Sequence, residues 1–254
     1  MKQTLSRAQI KSSGLSDSFA AFNPAQHGTP ETSWQAALRN APLLSLPGSA
    51  IVVVSPHPDD EILGAGGLIR SAAHAGLEVT VLSVTDGEAA YPDWEGLDKI
   101  RRRELRDALS ILVPQTVATR HLSIPDGKVD ENQAALLDAI DRQLSGNTLL
   151  IAPYERDGHP DHDVTGEVCC EVARLRKVTL WRYPVWAWHH AFPERFVHQP
   201  LGRFMLDEVT REAKARAMSC FTSQMRPIGR EPIVPTHVLQ YFARQYEVFL
   251  CEHF

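Results

Sequence analysis

The stretch Ile51-Val52-Val53-Val54-Ser55-Pro56-His57-Pro58-Asp59-Asp60-Glu61-Ile62-Leu63-Gly64-Ala65-Gly66-Gly67 decides the fold. Four consecutive β-branched apolar residues predict a strand buried on both faces, as in a parallel sheet covered by helices. The prolines, acids and histidine that follow read as a loop at the strand's carboxyl end, where open α/β sheets keep their ligand sites. Beyond the loop, Ile62, Leu63, Ile69 and Ala73 predict a helix to about His74. Its glycines permit close approach to the sheet, and Gly76 ends it.

Glu78–Val84 reads as a second buried strand, which completes a strand-helix-strand unit of the length a right-handed parallel crossover needs. Its exit is Thr85-Asp86-Gly87-Glu88. Leu97–Leu112 carries apolar residues at helical spacing with a basic outer turn, Arg101-Arg102-Arg103, and Pro114 stops it. Residues 120–124 predict a third strand leading into Pro125-Asp126-Gly127, and Gln133–Leu144 a third helix. Thr148–Ala152 is a fourth strand. It opens into Pro153-Tyr154-Glu155-Arg156-Asp157-Gly158-His159-Pro160-Asp161-His162, with a helix following from about Asp163 to Leu175. Val178–Tyr183 is a further strand, Trp186 and Trp188 alternate along an extended segment, and Met205, Val209, Ala213 and Met218 mark a last helix. Four or five β-α alternations make one domain the economical solution: α/β, with a mostly parallel sheet and helices on both faces.

Residues 1–47 are polar and punctuated by proline, with a short helical pattern around Trp34 and Leu38, and read as an N-terminal extension to a domain over 48–254. The chain has 254 residues, 43% of them hydrophobic, enough for a substantial core. Thirty-one acidic against 26 basic residues give a net charge of -5, which offers no footprint for nucleic acid. Four cysteines without a C-x-x-C pair predict neither a disulfide framework nor a thiolate zinc site, and fit a reducing, cytoplasmic setting. No apolar run follows Lys2 and Arg7, and none elsewhere is long enough to span a membrane. Ile69 stands where a dinucleotide loop needs its third glycine, there is no G-x-S-x-G elbow, and Cys169-Cys170 read as structural thiols inside a helix.

The chemistry lies in two loops, His57-Pro58-Asp59-Asp60 and His159-Pro160-Asp161-His162. Both follow buried strands that finish at the same edge of a parallel sheet, so their side chains can meet. His57, Asp60 and His162 can supply the three nitrogen and oxygen ligands of a mononuclear zinc hydrolase, with a fourth position open for water. Asp59 is then placed to take a proton from that water. Asp161 can hold His159 charged, to stabilise a tetrahedral oxyanion and later protonate a leaving amine. The competing reading of each loop is plain helix capping and turn chemistry. The remaining histidines receive no role.

These motifs, with Arg101-x-x-Glu104, Ser223-Gln224 and Tyr246-Glu247-Val248-Phe249, make the chain resemble the PIG-L, or LmbE-like, family of zinc-dependent N-acetylglucosamine deacetylases. The resemblance implies a Rossmann-like fold, with His57, Asp60 and His162 binding zinc or another divalent transition metal such as Fe2+. It implies Asp59 as general base and His159, supported by Asp161, at the oxyanion. It implies substrate contacts from Arg101 and Asp126 and a small amino-sugar conjugate as partner. Some members carry a tyrosine where this chain has Asp157, a role Tyr154 is positioned in sequence to take over. Deacylation of a non-sugar amide in secondary metabolism and a non-catalytic metal-binding domain are the alternative readings.

Overall fold

The Ile51 run is a central strand of an eight-stranded sheet in the computed structural model, which describes residues 23–46, 50–91, 93–113, 117–227 and 231–254. In chain order come α1 (Glu31–Leu38), β1 (Leu43–Leu44), β2 (Ala50–Ser55), α2 (Asp60–His74), β3 (Val79–Ser83), α3 (Leu97–Leu112) and β4 (Ala118–His121). They are followed by α4 (Gln133–Asp141), β5 (Thr148–Pro153), α5 (Pro160–Arg176), β6 (Thr179–Tyr183), α6 (Ala187–His190) and α7 (Pro193–Phe196). The chain closes with β7 (Leu201–Met205), α8 (Glu208–Met218), α9 (Thr222–Met225) and β8 (Tyr246–Glu252).

The strand order is β1-β7-β8-β6-β5-β2-β3-β4, parallel throughout except for β8, which runs against both β6 and β7. Ile51 and Val53 point into the core layer under α2 and α3, while Val52 and Val54 point into the layer under α4 and α5. Both faces of β2 are therefore dry, which is why the sequence shows an unbroken apolar run there instead of alternation. Each such side chain contributes about 1.5–3 kcal/mol by leaving water. From β2 the chain builds β3 and β4 on one side, then crosses to β5 and β6 on the other. The loops after β2 and β5 thus face each other at the point where the strand order reverses, the crevice open α/β sheets use for ligands.

Helix α2 packs close because Gly64 has no side chain: a Cβ there would lie 2.2 Å from Cδ2 of Tyr183. Glu247 of β8 ties the same helix down, accepting from Gly67 N (2.7 Å), Leu68 N (2.9 Å) and Lys214 Nζ (2.6 Å). The Lys214 ammonium also reaches Leu63 O at 2.8 Å. This accounts for the acid in the Tyr246–Phe249 motif: it joins the last strand to the helix that begins at the first histidine loop.

Several expectations are corrected. Met205 ends a strand and lies 46% exposed, and Val209 is 60% exposed, so neither belongs to a buried helical stripe. Pairing with β8 sets residues 201–205 as strand, overriding the helical spacing. Trp186–His190 is not extended: Ala187–His190 is one helical turn, and Trp188 is core, edge-on to Trp34 with ring centroids 4.8 Å apart. The third strand is Ala118–His121, before rather than at 120–124. α4 stops at Asp141, and α5 starts at Pro160 because a proline at the first helical position forms the helix. Lys2, Arg7 and Pro114 lie outside the described residues. Trp34 and Leu38 are fully buried and β1 pairs with β7, so residues 31–44 pack on the same sheet as the rest. No helix among the described residues is long and apolar enough to cross a membrane.

Candidate active site

Asp59 precedes α2 in a conformation rare for any residue but glycine, φ 149° and ψ -31°. A backbone held there costs about 1–3 kcal/mol and persists only where its surroundings enforce it. The enforcement is traceable. Glu104 accepts from Thr222 Oγ1 (2.8 Å), Ser223 N (2.8 Å) and Ser223 Oγ (2.6 Å), fixing α9, and Gln224 Nε2 from that turn donates to Pro58 O. The backbone C=O of Asp59 accepts from Ile62 and Leu63 N–H (both 2.9 Å), but its carboxylate caps nothing and makes no hydrogen bond among the described residues. The capping alternative therefore fails at this aspartate, whose carboxylate lines a cavity of about 610 Å3. Burial raises its pKa well above the ordinary value and neighbouring Asp60 adds to the rise, while the Arg101 guanidinium opposes it.

Three donor atoms meet beside it. His57 Nδ1 lies 3.2 Å from His162 Nε2 and 3.4 Å from Asp60 Oδ2, and His162 Nε2 lies 3.2 Å from Asp60 Oδ2. Those edges match the ~3.3 Å edge of a tetrahedron drawn around an ion with ~2.0 Å bonds to nitrogen and oxygen. The outer nitrogens are held by carboxylates, as ligating histidines require. His57 Nε2 faces Asp126 Oδ1 (3.2 Å) and Asp161 Oδ2 (3.3 Å), and His162 Nδ1 faces Asp157 Oδ2 (2.8 Å). Burial lowers the pKa of both imidazoles, but the carboxylates outweigh it, lifting His57 well above its ordinary value and His162 to about 10. The nitrogen and oxygen donor set, backed by further carboxylates, suits a divalent transition metal.

His159 completes a set of three imidazoles whose ring centroids lie 4.8 to 5.2 Å apart. Asp161 accepts from Gly127 N (2.9 Å), faces His57 and acts on His159 through its charge, while its backbone N–H donates to His159 Nδ1 at 3.2 Å. His159 is the N-cap of α5, and its ring satisfies a first-turn amide. That bond puts the imidazole proton on Nε2. A ring that accepts at Nδ1 carries a single proton, and burial and the two neighbouring imidazoles push the His159 pKa in the same direction, well below its ordinary value.

Arg101 is 2% exposed and lines the cavity, with Nε and NH2 making no hydrogen bond among the described residues. Gly87 makes room for it, because a Cβ there would lie 1.7 Å from NH1 of Arg101. Of the basic turn, only Arg103 is a solvated residue; Arg102 forms a two-pronged pair with Asp86 (2.8 and 2.5 Å). Asp126 also lines the cavity and accepts from Ala89 N (3.0 Å) as well as facing His57. All eight residues expected at the site are thus within one cluster. Tyr154 is not part of it: it does not line the cavity, and its hydroxyl bonds Gln199.

The sequence reading missed three contributors. Asp157 is wholly buried and accepts from Val185 N (2.8 Å), Trp186 N (2.9 Å) and Ala187 N (2.9 Å) besides His162. Asn23, Pro24 and Ala25 line the cavity, held by Gln26 O, which accepts from His189 Nε2 (2.8 Å) and His237 Nε2 (3.1 Å). Ile233, Val234 and Pro235 form the facing wall.

Glu61 sets the backbone of His57 from below. Ser55 Oγ lies 2.5 Å from both His57 O and Glu61 Oε2, and one hydroxyl hydrogen can serve only one acceptor. The second bond needs a proton on Glu61, whose pKa burial raises to about 7 against the Ser55 contact that lowers it. An acid whose folded pKa lies above its unfolded one loses stability as pH climbs from the ordinary carboxylate range to about 7. The loss is on the order of 3 kcal/mol here. Glu61→Gln keeps the donor and removes the titration, so between pH 5 and pH 8 its melting temperature falls less than the parent's. Parallel melting curves for parent and variant would refute a protonated Glu61.

The fold is a doubly wound α/β sheet with a cluster of histidines and aspartates able to hold a metal ion at its switch point. Residues 52–173 match the family described as PIG-L: GlcNAc-PI de-N-acetylase. It is 30% identical over 139 residues to a probable N-acetyl-alpha-D-glucosaminyl L-malate deacetylase 2 of Bacillus cereus, covering 50% of this chain and 62% of that protein. It is 28% identical over 122 residues to the diacetylchitobiose deacetylase of Thermococcus kodakarensis, covering 46% of each. The chain thus spans about half to three-fifths of these curated relatives. Among solved structures, the N,N'-diacetylchitobiose deacetylase of Pyrococcus horikoshii superposes with a TM-score of 0.60 at 20% identity, over 88% of both chains, a likeness of fold.

Proposed function

We propose that this protein is a metal-dependent amidohydrolase that removes the N-acetyl, or a related short acyl, group from the 2-amino position of an N-acetylglucosamine-type conjugate. The observation that carries the reading is the pairing of a three-donor cage with an adjacent carboxylate, Asp59, that is committed to nothing else. His57, Asp60 and His162 would hold the ion, zinc or a similar divalent metal. Such an ion supplies Lewis acidity toward water and the substrate carbonyl.

The chain's own groups do the rest. Asp59, with its pKa raised by burial, takes a proton from the attacking water as the C–O bond forms. His159 donates its Nε2–H to the oxyanion as a neutral hydrogen-bond donor. As the C–N bond breaks, Asp59 returns its proton to the departing nitrogen, because a neutral His159 has no spare proton to give. Arg101 Nε and NH2 donate to sugar hydroxyls, and Asp126 accepts from one while orienting His57.

Two relatives are named as an N-acetyl-alpha-D-glucosaminyl L-malate deacetylase and a diacetylchitobiose deacetylase, names that differ in what the amino sugar is joined to. The cavity wall away from the cage is largely apolar, with Pro24, Ala25, Trp186 and Ile233, which favours an uncharged or apolar aglycone. Acetate release from a panel of N-acetylglucosamine conjugates tests the reading, and apolar aglycones are expected to give the highest kcat/KM. Inactivity of the metal-loaded protein on every conjugate, with turnover of simple N-acyl amides, would replace the sugar by a non-sugar amide.

A further inference from the structure

At the far end of the sheet, four guanidinium groups surround one recess of about 490 Å3: Arg39 just after α1, Arg203 in β7, Arg211 in the first turn of α8, and Arg244 before β8. The recess shares no lining residue with the cavity of the metal cage. The chain as a whole is acidic at -5, so this concentration of positive charge is local and not a general basicity. Two carboxylates neutralise two of the four. Glu31 takes Arg244 through Nε (2.8 Å) and NH2 (2.6 Å), and Glu208 takes Arg211 through NH1 (2.7 Å).

The other two are uncompensated. Arg203 spends only Nε, on Ala41 O at 3.1 Å, and its guanidinium lies over the Tyr246 ring, 5.3 Å from the centroid. Arg39 is exposed and makes no hydrogen bond or ion pair among the described residues. In addition, Nε of Arg211 is buried and makes no hydrogen bond among the described residues, a donor awaiting an acceptor. Guanidinium forks match the oxygens of a phosphate and bind it two bonds at a time. Like charges brought this close repel one another, and an anion of two charges removes that repulsion.

We propose that this recess binds a phosphate group carrying two negative charges, gripped by Arg203 and Arg39 with Arg211 Nε as a further donor. The phosphate has two possible carriers. One is a soluble phosphorylated molecule. The other is a lipid headgroup, because Leu43, 66% exposed and paired in register with Arg203, stands beside the recess with Met205. The inference does not depend on the amidohydrolase reading.

The test is calorimetric titration of the full metal-loaded chain with inorganic pyrophosphate at fixed ionic strength, for the parent, Arg39→Gln, Arg203→Gln and the double variant. Saturable binding is expected in the parent, weakened about tenfold by each substitution and lost in the double variant. Arg39 is exposed and makes no hydrogen bond or ion pair among the described residues, so its variant keeps the parent's melting temperature and reads binding without a folding effect. Co-sedimentation with phosphatidylcholine vesicles, with and without phosphatidic acid, separates the carriers. Vesicle binding that needs both Arg203 and Leu43 assigns a headgroup, and pyrophosphate binding without it assigns a soluble ligand. Absence of saturable binding in the parent, or equal binding in all four proteins, would overturn the site, the latter by placing the anion on the metal.

Discussion

Asp59→Asn is expected to keep its metal and lose about 10^3-fold or more in turnover, the range general acid-base groups contribute. Asparagine preserves the volume and tolerates the unusual backbone, so the substitution isolates the proton acceptor. The ligand atoms of His57, Asp60 and His162 lie within 3.4 Å of one another without any contribution from Asp59, so metal content should match the parent. Asp59→Gly is the companion: it removes the same carboxylate and also relieves the strain of φ 149°, and should melt no lower than the parent while remaining inactive. Metal analysis, acetate release and thermal unfolding on the same preparations check all three expectations. Asparagine turning over at the parent rate would remove Asp59 from the chemistry, and loss of metal would make it a ligand.

What the sequence disclosed and what it withheld follow one physical division. The strand at Ile51–Val54 was legible because burial on both faces demands apolar residues at every position, and the cage was legible because histidine, proline and aspartate at two strand ends have no comparable packing use. The strand Leu201–Met205 was not, because its identity comes from pairing with β8, and exposed Met205 and Val209 mimic a helical stripe. The second use of the Asp161 carboxylate, facing His57 Nε2, was hidden, as was the turn of the His159 ring back onto its own helix, since both need the fold to be seen. The wall formed by Asn23–Ala25 was equally hidden: it is held by backbone contacts from Gln26 to His189 and His237, residues far along the chain. Glu104 and Gln224 were visible as motif letters, but their use in straining Asp59 passes through Pro58 O and needs coordinates to be seen.

Asp157 is where that hidden layer should have its largest effect. Its two oxygens accept four N–H groups, Oδ1 from Val185 and Ala187 and Oδ2 from Trp186 and His162, in a site fully closed to water. In Asp157→Asn one oxygen becomes an NH2, and either orientation of the amide turns that donor toward two other donors. If it faces Val185 and Ala187, the turn into α6 loses its anchor. If it faces Trp186 and His162, the ligand imidazole loses the acceptor that fixes its tautomer and orientation. No rotamer satisfies both, so stability falls by about 3 kcal/mol or more. Metal affinity should fall about 10–100-fold, the effect expected when the carboxylate behind a ligating histidine is removed. Chelator competition and thermal unfolding with saturating metal separate the two losses. A variant that holds metal as tightly as the parent would show that Asp157 serves the turn alone and that His162 needs no carboxylate behind it.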